Sequence, residues 1–135
     1  MSSTWARMDV LDEADCMRLL ASVNWGRFAW SGPDGPRILP VNFSLVDGQV
    51  FLRTDLYGSL AEAADGTAVA LEADELDHRL SSGWSVVVLG RAEQIRDQAE
   101  ISAFFRQVRE PWAPGSRPLL VRIVPSQVTG RRFLR

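Results

Sequence analysis

Apolar and polar positions alternate with a period of two over most of the chain. Leu39, Val41, Phe43 and Leu45 interleave with Pro40, Asn42 and Ser44, and after Asp47-Gly48 the series Val50, Leu52, Thr54 interleaves with Phe51, Arg53 and Asp55. Such alternation predicts two strands with one core-facing side each. Asp-Gly between them predicts a two-residue turn, because the turn that matches strand twist needs positive φ at both central residues. Gly26 to Ser31, Thr67 to Ala73, Trp84 to Ile95 and Leu119 to Val124 read as further strands, with Gly90 marking a bulge or a close backbone approach inside the longest.

Helical spacing shows in two places. Cys16, Leu19, Leu20 and Val23 follow the acidic opening Asp12 to Asp15, and Ile101, Phe104, Phe105 and Val108 follow Asp97, with Glu100 at capping-box spacing. A third, short helix is expected from Gly58 to Ala64, stopped by Asp65-Gly66. Asp74 to Ser82 is polar and acidic and reads as a loop, and Pro125 is expected to interrupt the last strand before Val128 to Phe133 closes the chain. Short hairpin-type connections between most strands favour a mainly β, antiparallel sheet curled into a barrel with flanking helices.

Composition narrows the function classes. At 135 residues, 46% hydrophobic and 24% charged, the chain predicts one domain over residues 1–135 and no membrane span. A net charge of −2 gives no general attraction to nucleic acid. All fifteen basic residues are arginine, which removes lysine Schiff-base chemistry and a Walker-type phosphate loop. Cys16 is the sole cysteine and lies on an apolar helix face, so it reads as buried and structural rather than as a nucleophile. No secretory leader is evident and no metal-ligand cluster appears, so a cytoplasmic protein without a metal site is expected.

Arg53, Thr54 and Ser59 place an arginine and two hydroxyls where a strand ends and a helix begins, which is suitable chemistry for a phosphate. The alternative reading makes Arg53 a solvated strand-end charge, Ser59 a helix cap and the tryptophans core residues. His78, the only histidine, lies in the polar segment and reads as solvated.

The ordered series GRFAW (Gly26 to Trp30), PVNF (Pro40 to Phe43), FLRTDLYGS (Phe51 to Ser59), WSVVVLGRA (Trp84 to Ala92), Pro111-Trp112 and TGRR (Thr129 to Arg132) resembles the pyridoxamine 5′-phosphate oxidase-like flavin-binding family. The resemblance covers nearly the whole chain. It implies an antiparallel split β-barrel, the FMN-binding split barrel, as a homodimer with FMN in grooves at the subunit interface. By position, Leu39, Pro40, Val41 and Asn42 would contact the isoalloxazine, and Arg53, Thr54 and Ser59 would hold the phosphate. Trp84 and Ser85 would flank the ring, and Trp112 and Arg131 would reach the cofactor or the partner subunit.

The resemblance also implies a flavin-dependent oxidoreductase moving hydride between flavin and a small-molecule substrate. A non-catalytic dimer that binds or sequesters flavin or a deazaflavin cofactor is the alternative. One position departs from the pattern: Leu60 stands where the family commonly has a lysine beside the phosphate. Haem, bound by some relatives of this fold, would depend on His78 alone.

Overall fold

The computed structural model of the protein describes residues 7–54, 64–108 and 119–134. In chain order the elements are β1 (Arg7–Leu11), α1 (Glu13–Ala21), β2 (Trp25–Gly32), β3 (Gly35–Val46), β4 (Gln49–Thr54), β5 (Ala68–Asp77), β6 (Ser82–Ile95), α2 (Gln98–Gln107) and β7 (Leu119–Leu134). Every pairing is antiparallel, and the sheet order β1-β7-β4-β3-β2-β5-β6 is closed by an additional β6–β7 pairing. Six strands thus form the expected barrel, with β1 added to the outer half of β7.

The hairpin between β3 and β4 forms as its sequence dictates. Asp47 and Gly48 have φ of 50° and 76°, the left-handed pair that this turn requires. Inward positions then meet across strands: Phe43 faces Leu52, Val50 faces Ile123, and Leu52 faces Val121, all at most 3% exposed. Phe28, Leu71, Val86 and Val88 join them in the interior, where burying each side chain contributes about 1.5–3 kcal/mol.

Both described helices start on their aspartates. Asp12 accepts from the Asp15 amide at 2.8 Å and Asp97 from the Glu100 amide at 3.2 Å, satisfying donors that a helix start leaves open. Helix α1 buries Cys16 and Leu20 in the barrel core, as the helical spacing predicted. Burial, then the Asp12 and Glu13 carboxylates, push the Cys16 thiol up, away from the thiolate. Helix α2 covers the outer side of the β4–β7 corner, where Phe104 packs with Ile95 and Leu120 in a second apolar cluster.

Two expectations require correction. The Asp74–Ser82 segment is mostly strand: β5 runs to Asp77 and β6 begins at Ser82, paired through Asp74↔Ser85, Glu75↔Trp84 and Asp77↔Ser82. Its acidic side chains are tolerated because they stand on exposed or outward positions of an otherwise complete ladder. Pro125 does not end the last strand either. The β6–β7 register shifts at Leu89/Gly90, with Gly90 opposite Pro125 and Leu89 opposite Gln127. The proline thus occupies a bulge, where the ladder is already interrupted. Strand β1 forms by pairing with the end of β7.

The short helix expected at residues 58–64 falls outside the described residues except for Ala64, as do Leu60 and the Pro111-Trp112 motif. Asp65 follows Ala64, and its carboxylate accepts from the Gln94 amide at 2.8 Å and from Arg96 at 3.2 Å. Those contacts, the Gln94 amide first, hold its pKa below the usual carboxylate range.

Candidate functional site

The barrel is split on one side. Strand β3 pairs with β2 from Gly35 to Asn42, but with β4 only from Phe43 to Val46. Among the described residues, the other edge of β3 at Gly35 to Asn42 has no strand partner. Pro40 fits such an edge because it brings no amide that a ladder would need.

The divergence shows in side-chain exposure. Leu39 is opposite Phe28 and shares its inward parity, yet is 45% exposed while Phe28 is fully buried. Val41, further along, is half-buried against the core cluster. Asn42 is held at the fork by its Nδ2, which donates to the Asn24 carbonyl at 3.1 Å, and the Phe43 amide donates to the same carbonyl. Leu39, Pro40, Val41 and Asn42 therefore lie along one opened strand edge, presenting backbone polar groups beside apolar side chains.

Arg53 stands on the outward side of β4, one residue beyond the last β3–β4 pair. Its guanidinium carbon lies 4.5 Å from the centroid of the Phe105 ring on α2. Arginine at the mouth of an open edge is suited to a phosphate, and the edge to a flat heteroaromatic ring with hydrogen-bonding atoms. The donor set therefore fits a flavin nucleotide. Ser59 and Trp112 lie outside the described residues, as does the side chain of Thr54.

The remaining expected residues lie elsewhere on the chain. Ser85 and Arg131 are register partners on the outer face of β6 and β7, where Val10 of β1 is the next neighbour of Arg131. Strands β2 and β5 separate Ser85 from the β3 edge, about 14 Å at the usual strand spacing. Trp84, whose side chain points opposite to that of Ser85, is 6% exposed and belongs to the barrel core. One chain thus brings together Leu39 to Asn42 with Arg53, and separately Ser85 with Arg131. Trp84 holds the interior rather than a surface shared with Ser85.

Sequence reading missed a charged cluster on the same outer face. Arg27 of β2 donates from Nη1 to Glu72 Oε1 and Asp74 Oδ2 of β5, both at 3.2 Å. Burial, then the adjacent Asp74 carboxylate, push the Glu72 carboxyl up to about 7 against the pull of Arg27. Around it, Ile38, Ala29, Ala70 and Leu89 form one cross-strand row. Ile38 is 65% exposed and Val10 83%. The outward parity of each residue was legible, but not which strands would lie side by side.

His78 is exposed in the turn between β5 and β6. Among the described residues, no three or more His, Cys, Asp or Glu side chains are grouped to hold a metal ion, and no helix is long and apolar enough to cross a membrane.

Comparison with known proteins agrees with this geometry. The chain is 42% identical over 129 residues to the uncharacterized protein Rv0080 of Mycobacterium tuberculosis, covering 92% of this chain and 84% of that one. Among solved structures, the FAD binding protein from Mycobacterium smegmatis superposes with a TM-score of 0.79 at 35% identity, covering 93% of this chain and 98% of that one. An FAD-binding protein from Mesorhizobium loti, at 21% identity and a TM-score of 0.76, shares the fold over 97% of this chain and 100% of that one. The family model for pyridoxamine 5′-phosphate oxidase matches residues 12–132. With that match over nearly all of its length and the split barrel in its strands, the chain belongs to the pyridoxamine 5′-phosphate oxidase family.

Proposed function

We propose that the protein binds a flavin nucleotide as a homodimer and works as an oxidoreductase on a small molecule. The observation that carries the reading is the opened β3 edge at Leu39 to Asn42 with Arg53 at its mouth. The 35% identical FAD binding protein from Mycobacterium smegmatis supports a flavin in particular. FMN and FAD share the isoalloxazine and the ribityl phosphate, which is the part this edge and arginine match.

In this reading Arg53 neutralises the phosphate, with Thr54 and Ser59 as hydroxyl donors, while the β3 backbone holds the polar edge of the ring and Leu39 and Val41 exclude water. The bound flavin supplies hydride transfer, and the protein positions it. Ser85 and Arg131 lie two strands away on the same chain, so they reach the ring from a second copy. The exposed apolar row of Ile38 and Leu89, together with Val10, is the surface that such a copy would cover.

Mass spectrometry of the ligand released from purified protein tests the reading and separates FMN, FAD and a deazaflavin. Titration of ligand-free protein with each should give one saturable change in flavin fluorescence. If none of the three saturates, the reading is wrong. Reduction of the bound flavin by a nicotinamide nucleotide, followed by reoxidation by a substrate, distinguishes an enzyme from a protein that only sequesters the cofactor.

A further inference from the structure

We propose that Phe105 is a positioning residue, whose ring fixes the Arg53 guanidinium in the orientation that receives a phosphate. The inference rests on the flavin-nucleotide reading for its ligand, but its geometry is independent of any ligand.

The Phe105 ring lies under the Arg53 guanidinium carbon at 4.5 Å, within the range of a cation–π contact. Stacking engages the flat face of a guanidinium, whereas its N–H donors point outward in the plane. Where the guanidinium meets the ring with its face, that contact does not compete with hydrogen bonding at the edges. It restricts the torsions of a long side chain that would otherwise lose rotamer freedom when a ligand binds.

Phe105 is itself held in place. Its neighbour Phe104 meets it edge-on at 5.4 Å and 76°, and Phe104 packs against Phe51 of β4 at 5.1 Å. Phe104 is 5% exposed in the cluster with Ile95 and Leu120. Arg122 of β7 binds Glu93 and donates to Glu100 on α2 at 3.3 Å, tying the first turn of the helix to the barrel. Phe51 and Arg53 have the same parity on β4, so one strand presents the anchor for Phe104 and the cation for Phe105. Phe105 remains 38% exposed, so its ring lies at the surface that a ligand of Arg53 would approach.

The test compares FMN with riboflavin, which lacks the phosphate. Phe105→Ala should weaken FMN binding about fivefold and leave riboflavin affinity unchanged. Phe105→Tyr should restore FMN affinity, whereas Phe105→Leu, which keeps apolar bulk without an aromatic face, should not. In ligand-free protein, the NMR order parameter of the Arg53 Nε–H bond should fall in Phe105→Ala and Phe105→Leu, and stay high in Phe105→Tyr.

Equal losses for FMN and riboflavin, or an unchanged order parameter, would overturn the inference. Arg53→Ala separates the two levels. If it removes the preference for FMN and Phe105→Ala does not, only the role of Phe105 is lost. If Arg53→Ala leaves the preference intact, the phosphate seat itself is misplaced.

Discussion

A methyl group added at Gly90 probes the seam between β6 and β7. A Cβ there would lie 2.2 Å from the Val124 carbonyl oxygen and 3.0 Å from Ile123 Cγ2, where ordinary contact begins at 3.4 Å. Closing the first gap alone means moving backbone by about 1.2 Å, the difference between 3.4 and 2.2 Å. That backbone is pinned, since Ile123 is fully buried and Gly90 pairs with Pro125 at the register shift.

Overpacking of this kind costs about 1–3 kcal/mol, and a disturbed ladder bond about 1 kcal/mol more, while the stiffer unfolded chain returns about 0.4–1 kcal/mol. The net expectation for Gly90→Ala is a loss of about 1–3.5 kcal/mol. Gly48→Ala serves as the control: its φ is +76° and nothing lies within 4 Å of the added carbon. Only the left-handed penalty of about 1–2 kcal/mol applies there, less the same unfolded-state return. Urea titration reads both as midpoint shifts at unchanged slope. If Gly90→Ala costs no more than Gly48→Ala, the close approach is not a constraint on the fold.

Three further outcomes are expected. Arg122→Met severs the ties to Glu93 and Glu100 and should cost about 1.5 kcal/mol, with faster amide exchange in α2 than in the barrel strands. Glu72 holds its proton more tightly folded, at about 7, than at its ordinary 4.5, so the native protein should lose stability as pH rises between those values. Glu72→Gln should abolish that slope, leaving the variant about 1 kcal/mol the more stable at about pH 8 and equal at about pH 4, below the ordinary value, the gain being limited by solvent screening at a part-exposed group; thermal unfolding across pH measures it. Ile38→Glu, on the exposed outer row, should shift the proposed dimer to monomer in sedimentation, whereas Arg18→Ala on the exposed side of α1 should not.

Local chemistry made the hairpin, the two helix starts and the bulge legible. Asp47-Gly48, Asp12, Asp97 and Gly90 each act within a few residues of themselves. Residues whose state depends on distant partners were not legible. Asp74 to Asp77 look like loop until β6 supplies their ladder, and Pro125 looks like a stop until Gly90 gives it a bulge. Arg7 to Leu11 is a strand because it lies against Gly130 to Leu134 at the far end of the chain. The order of the motifs pointed to the flavin-binding family, and the structure adds which residues share a surface: Arg53 with Phe105, and Arg27 with Glu72 and Asp74, 45 and 47 residues away.

Strand β7 bonds along one side to β6, and along the other first to β4 and then to β1. During synthesis, all three of those strands emerge before β7 exists to pair with them. Until residue 119 and those after it appear, β4 and β6 present bare edges of the kind that join strands from other molecules. Such non-local pairing predicts slow folding, and yield at high expression should depend on how quickly β7 is delivered to edges that have been waiting for it.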